Sequence, residues 1–182
     1  MPGAGSEPLP WAAPGSSLVA PLGLMIHRHA EEPGMPQSLA RVLVHLIFST
    51  KNRESWIAED MRGDLHAYLG GVLDALGCPP IQVGGTADHV HILYALARTL
   101  TLANVTEQVK TSSSKWMKQR AVRAFGWQTG YGAFSVSEAN LRSVARYIEQ
   151  QEAHHAHTSF QDEMRDFLGR SHLQYDERYV WD

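Results

Sequence analysis

The feature that most constrains the fold lies along the middle of the chain. There, segments with the composition of strands alternate with segments whose apolar residues are spaced as in helices. Runs rich in valine, leucine, isoleucine and phenylalanine are typical of strands, whereas apolar side chains at helical spacing indicate amphipathic helices. The pattern predicts six elements in turn: a strand at 39–50, a helix at 59–76, strands at 81–85 and 89–96, a helix at 101–125 and a strand at 131–137. The predicted order is β-α-β-β-α-β.

This order predicts an α+β fold of the ferredoxin-like type, an antiparallel sheet with two helices on one face. An additional helix that carries Tyr147 is predicted over 138–155, and a short one over 160–168. Several α+β folds share this order, and a fold does not by itself determine a function. RNA-recognition modules share it too, but the aromatic-rich signature of their central strand is not in this sequence.

The 182 residues predict one domain, preceded by a segment of different composition. Residues 1–34 are rich in proline and have no positively charged start of the kind that a secretory signal needs. We interpret 1–34 as a disordered extension or a misassigned start, with Met35 as the alternative first residue. The domain is then predicted over 35–182.

Composition excludes some classes of protein. Sixteen lysines and arginines against 19 acidic residues give a net charge of −3, which excludes a globally basic nucleic-acid coat but allows a local basic face. The single cysteine, Cys78, excludes an intramolecular disulfide framework and is typical of a reducing compartment. No run of about 18 apolar residues is present, so we expect a cytoplasmic protein without a membrane span.

Asp88-His89-Val90-His91 is the first candidate functional motif. Alternate side chains of a strand project to the same face, so His89 and His91 should project together and Val90 should face the core. Two adjacent imidazoles could bind a metal ion, or they could be ordinary polar residues on an exposed sheet face. Asp88 could orient one of the histidines, or it could cap the start of the strand.

Tyr147 and Gln151 are the second candidate pair. Residues i and i+4 of a helix lie on the same face, so the phenol could act as a nucleophile beside an amide oxygen that binds metal. The alternative is the packing side of an ordinary amphipathic helix. Three further histidines, His154, His155 and His157, follow closely. They could bind zinc, but we interpret them as solvated residues at a helix end.

The third feature is a basic segment with no acidic residue between Glu107 and Glu138. Its candidate DNA-binding residues are Lys110, Lys115, Trp116, Lys118, Arg120 and Arg123. Such a face is suited to phosphate contacts that position a nucleic acid without reading its sequence. The alternative is a solvated helix face.

Together these motifs resemble the single-tyrosine HUH transposases, the insertion-sequence-200-like family, and the related REP-associated tyrosine transposases. The HUH motif is His89-Val90-His91, and the Tyr-x-x-x-Gln motif is Tyr147 with Gln151. The resemblance extends over roughly 35–181 through the strings VHLIFSTKNR, GGTADHVHIL, VKTSSSKWM, WQTGYGAFSVS, SFQDE and YDERYVW.

The resemblance implies a homodimeric, metal-dependent enzyme of DNA transposition and recombination that cuts and rejoins single-stranded DNA, with hairpin or palindromic ends as its partner. Tyr147 would form a 5′-phosphotyrosine, and His89, His91 and Gln151 would bind Mg²⁺ or Mn²⁺. In family members the tyrosine helix of one subunit can complete the site of the other. The setting implied is a bacterial-type cytoplasm, at the nucleoid when DNA is bound.

The residues support this chemistry independently. A phenolate is a better leaving group than a sugar alkoxide because the pKa of tyrosine is only about 10, so a phosphotyrosine can be reversed by an incoming 3′-hydroxyl. Three neutral ligands leave the ion its full charge, and nitrogen ligands favour Mn²⁺ at least as much as Mg²⁺. Two alternatives are a non-catalytic single-stranded nucleic-acid-binding protein and a metal-dependent hydrolase of a small phosphate ester.

Overall fold

The computed structural model describes residues 39–120, 122–155 and 159–177. The expectation for residues 1–34 lies outside the described residues, as does the position of His157. The elements in chain order are β1 (Val42–Ser49), α1 (Glu59–Ala75), β2 (Pro80–Gly85), β3 (His89–Leu96), α2 (Leu102–Gln119), β4 (Gly132–Val136), α3 (Leu141–Glu149), α4 (Gln151–His155) and α5 (Phe160–Arg170).

The four strands form one antiparallel sheet in the order β2-β3-β1-β4. This confirms the predicted α+β class and the antiparallel sheet. Strands β1 and β3 lie at the centre, and Ile47 of β1 pairs with His91 of β3 on one side and with Gly132 of β4 on the other. The His-x-His motif therefore lies in the interior of the sheet.

Each face of the sheet packs against different helices. Alternate residues of β1, including Leu46 and Phe48, join the main core formed with α1 and α2. Ile47 points the other way and packs with Phe160 and Met164 of α5. The second face of the sheet, for which the sequence predicted no covering helix, is therefore covered by a short one. Of the described helices, none is both long and apolar enough to cross a bilayer.

Two predicted helices differ from the observed ones. Helix α2 ends at Gln119 instead of 125, because Phe125 turns into the core, where its ring centroid lies 5.7 Å from that of Trp56 and 4.8 Å from that of Trp127. The helix predicted over 138–155 is interrupted at Gln150, whose φ and ψ of −96° and 15° separate α3 from α4.

A close approach between β2 and α3 fixes the position of the tyrosine helix. A Cβ added to Gly84 would lie 2.3 Å from the carbonyl oxygen of Ile148, a separation that no side chain could tolerate. Only glycine therefore lets the end of α3 lie directly against β2. Gln151 begins α4 immediately after this contact, next to the β3 histidines.

Candidate metal and tyrosine site

His89 and His91 project from β3 to the same face of the sheet, while Val90 faces the main core, as predicted. The alternative of an exposed sheet face is wrong for both histidines, because they are 1% and 0% exposed. Helices α4 and α5 cover them, and the ring centroid of His89 lies 4.4 Å from that of His155 and 4.7 Å from that of Phe160.

Asp88 holds the ring of His89 in one orientation. Nδ1 of His89 lies 2.7 Å from Oδ1 of Asp88, and Arg53 donates to Oδ2 of the same carboxylate at 2.7 Å. Burial alone would raise the pKa of Asp88, but the hydrogen bonds from His89 and Arg53 and the positive charge of Arg53 outweigh it and hold that pKa well below its usual range. With Nδ1 as donor, Nε2 of His89 carries a lone pair, and this buried atom has no hydrogen-bond partner among the described residues.

His91 is oriented by another histidine. Its Nδ1 lies 3.0 Å from Nε2 of His45, and its Nε2 lies 3.6 Å from Oε2 of Glu163. Burial lowers the pKa of His45 to about 4, so His45 is neutral near pH 7 and can accept a hydrogen bond from His91. The sequence analysis missed His45, although a histidine in an otherwise apolar strand was a signal that could have found it.

Gln151 and Glu163 lie beside the histidine cluster and are hydrogen-bonded to each other. Gln151 is 1% exposed and its Nε2 donates to Oε1 of Glu163 at 3.1 Å, while its own Oε1 has no hydrogen-bond partner among the described residues. Burial raises the pKa of Glu163 to about 8. The other carboxylate oxygen of Glu163 lies 3.0 Å from Nε2 of His155. The interpretation of His155 as a solvated residue is wrong, because its side chain is 12% exposed.

Tyr147 lies on the same side of the sheet as the histidines. Its ring meets those of His91 and His45 edge-on, at centroid distances of 6.0 and 6.4 Å. Together with Phe167 and Arg170, it lines a cleft of about 520 Å³. One chain thus brings the candidate nucleophile, the His-x-His motif and an open cleft together.

The donor atoms are suited to a divalent metal ion. One atom each from His89, His91, His155 and Glu163 lies within 4.8 Å of all the others. Such spacing allows one ion to be reached by several nitrogen and oxygen donors at bonds of about 2.0–2.2 Å. Nε2 of His89 and Oε1 of Gln151 are buried without a hydrogen-bond partner among the described residues, so both can still bind a metal ion. The residues therefore fit the metal that the sequence predicted.

The basic segment lies on the other face of the sheet, and its residues have different surroundings. Trp116 is 7% exposed and stacks on Tyr68 in the main core, so it offers little surface to a nucleic acid. Lys110 donates to the carbonyl oxygens of residues 128–130 at 2.7–3.2 Å, and burial lowers its pKa to about 8. This lysine holds a loop against α2.

The remaining basic side chains are exposed. Lys115 and Lys118 line a groove of about 580 Å³ between α2 and the loop that carries Trp127. The guanidinium carbon of Arg120 lies 4.2 Å from the centroid of the Trp116 ring, and Arg123 is exposed beyond the end of α2. The groove offers lysine ammonium groups beside an aromatic surface.

Fold and site together define a class: an α+β protein that brings a His-x-His strand and a tyrosine helix to one face of an antiparallel sheet. A family model described as "Transposase IS200 like" matches residues 38–151, more than half of the chain. The chain therefore belongs to the IS200-like transposase family.

Solved structures share this fold. A candidate transposase from Deinococcus radiodurans R1 matches with 21% identity and a TM-score of 0.51, over 66% of this chain and 98% of that one. A REP-associated tyrosine transposase bound to a REP hairpin matches with 12% identity and a TM-score of 0.51, over 68% of this chain and 74% of that one. No curated protein matches the chain.

Proposed function

We propose that this chain is a metal-dependent single-stranded DNA endonuclease and strand transferase that acts through a 5′-phosphotyrosine. The observation that carries the proposal is the position of Tyr147, whose ring lies 6.0 Å from that of His91 within one chain. Membership of the IS200-like family supports a role in DNA transposition. The strand order β2-β3-β1-β4, with α1 and α2 on one face, supports a ferredoxin-like arrangement.

Tyr147 is the proposed nucleophile. Its phenol loses a proton to solvent and the phenolate oxygen attacks the scissile phosphorus. The bond from phosphorus to the 3′ oxygen breaks, that oxygen takes up a proton to become a free 3′-hydroxyl, and the 5′ phosphate stays on Tyr147. Attack by an incoming 3′-hydroxyl reverses these steps, so that strands are rejoined without ATP.

His89, His91 and Gln151 are the proposed holders of the ion, either Mg²⁺ or Mn²⁺. Once bound, a divalent ion supplies Lewis-acid polarisation of the phosphate. Asp88 and His45 fix the two imidazoles so that each Nε2 faces the site, and Gln151 is fixed by its hydrogen bond to Glu163. The close packing of α4 and α5 excludes bulk water from these donors.

The proposed partner is single-stranded DNA with hairpin or palindromic ends. A REP-associated relative was solved with a hairpin, which supports this choice of substrate. Lys115 and Lys118 would contact phosphates along the groove beside α2. A homodimer in a bacterial-type cytoplasm is proposed from the resemblance to the family.

The test is Tyr147→Phe, which removes one hydroxyl and keeps the ring that packs near Phe167. We expect this variant to bind single-stranded DNA as the wild type does, but to form no covalent adduct and to cut nothing. A 3′-end-labelled substrate on a denaturing gel reports the adduct as label that migrates with the protein. Exposed Tyr175→Phe is the matched control and should cleave normally. Persistent cleavage by Tyr147→Phe would favour a hydrolase that uses water as its nucleophile.

A further inference from the structure

Helix α5 places a buried carboxylate inside the histidine cluster. Glu163 is 5% exposed, and its Oε2 lies 3.0 Å from Nε2 of His155 and 3.6 Å from Nε2 of His91. Within the described part of the chain, its ion-pair partners are these imidazoles, with no lysine or arginine among them. The sequence motifs gave no role to Glu163, which also lies beyond the residues that the family model matches.

Packing alone gives no reason for an acid at this position. Phe160, Met164 and Leu168 already attach α5 to the sheet through apolar contacts. An acid in the same buried interface loses its hydration, so it must keep its proton or, as a carboxylate, be compensated by a cation or several hydrogen bonds. The neutral amide of Gln151 and the imidazole of His155 provide hydrogen bonding but no fixed positive charge. A bound cation would compensate the carboxylate fully.

The orientation of Glu163 also indicates where that cation would lie. Oε1 accepts a hydrogen bond from Nε2 of Gln151, which leaves Oε2 facing the imidazoles. One carboxylate oxygen of Glu163 belongs to a group of donor atoms that lie within 4.8 Å of one another, together with one nitrogen each from His89, His91 and His155. A single ion among these atoms would be reached by the carboxylate as readily as by the histidines.

We infer that Glu163 is a ligand of the metal ion, through Oε2, together with His89 and His91. This inference rests on the proposed function and changes the net charge of the proposed metal site. With Glu163 added, the two imidazoles, the amide of Gln151 and the carboxylate carry one negative charge, whereas the set without Glu163 carries none. Such a mixed set is suited to Mn²⁺ and similar transition metals, and it holds a divalent ion before any DNA phosphate arrives.

The experiment is calorimetric titration of the full chain with Mn²⁺ in the absence of DNA. We expect the wild type to bind Mn²⁺ and Glu163→Gln to bind it at least about tenfold more weakly, since loss of even a partner of a ligand weakens metal affinity by that factor. The matched control is Asp166→Asn, which removes one carboxylate from the same helix, where it pairs with Arg170 at the surface. This control should bind Mn²⁺ as the wild type does.

A second measurement does not depend on the variant being folded. A wild-type crystal soaked with Mn²⁺ should show anomalous density at a bonding distance of about 2.2 Å from Oε2 of Glu163. Unchanged Mn²⁺ affinity in a folded Glu163→Gln, or an ion well outside bonding distance of Glu163, overturns the inference. These outcomes do not test the proposed function itself, because adduct formation through Tyr147 is measured independently of Mn²⁺ affinity.

Discussion

At the scale of single residues, the two β3 histidines are fixed by partners of different charge. His89 donates to the anionic carboxylate of Asp88, whereas His91 has the neutral ring of His45 as its partner. A hydrogen bond to an anion makes an imidazole more basic, and so a stronger ligand, than a bond to a neutral acceptor does. His89 is therefore expected to be the tighter of the two histidine ligands.

The His91→Ala variant tests whether this buried histidine stabilises the packed interior of the domain. Its ring is fully buried against His45, so the substitution leaves a cavity and removes a hydrogen-bond partner. We expect the metal-free protein to lose about 1–3 kcal/mol of unfolding free energy, besides losing Mn²⁺ binding and cleavage. Urea unfolding measures the first effect. Exposed His172→Ala is the control, and an equal stability of His91→Ala and wild type would contradict the packing argument.

The sequence predicted the residues that lie in short motifs and missed those that tertiary packing brings in. His89 and His91 share one face because the geometry of a strand requires it, and the pattern predicted this directly. His45 is 46 positions before His91 and reaches it only through the pairing of β1 with β3. Glu163 reaches the cluster only because α5 packs on the second face of the sheet, and no local periodicity encodes that packing.

At the scale of elements, local signals predicted the strands better than the ends of helices. The bounds of β3 match the prediction at both ends, because a largely buried run of eight residues forms a strand that pairs on both sides. The predicted 101–125 helix was too long because the apolar spacing continued to Phe125. That side chain is buried by packing between Trp56 and Trp127 instead of by continuing the helix.

The exposed lysines of α2 allow a prediction about DNA affinity. Changing Lys115 and Lys118 to alanine removes two cations from the groove and should weaken binding of single-stranded DNA roughly equally for all sequences. The slope of log affinity against log salt should become flatter by about 0.7 per lost phosphate contact. Fluorescence anisotropy at several salt concentrations measures both effects. Arg98→Ala, which removes an exposed cation outside the groove, should leave the slope unchanged; an unchanged slope in the lysine variant would place the DNA elsewhere.

At the scale of the whole domain, the lysine groove and the metal site lie on opposite faces of the sheet. Helix α2 packs on the face that carries Phe48, whereas His89 and His91 project towards α5. One path between the groove and the metal site crosses the end of β1, where Thr50 pairs with Trp127 and the backbone N–H of Lys51 donates to the carbonyl oxygen of Gly126. The exposed side chain of Lys51 lies at that crossing.

The position of Tyr147 within the domain predicts that the tyrosine acts at the metal site of its own chain. Tyr147 reaches the neighbourhood of His91 and His45 without a second subunit, and a close contact between β2 and α3 at Gly84 fixes that approach. We therefore expect that mixing Tyr147→Phe with His89→Ala restores no covalent adduct, because every chain in the mixture lacks either its nucleophile or a ligand. Differently tagged subunits, purified together through both tags, ensure that any mixed dimer is assayed. An adduct formed by that mixture would mean that the tyrosine of one chain serves the histidines of its partner, and the α3 position seen here would then be a resting arrangement.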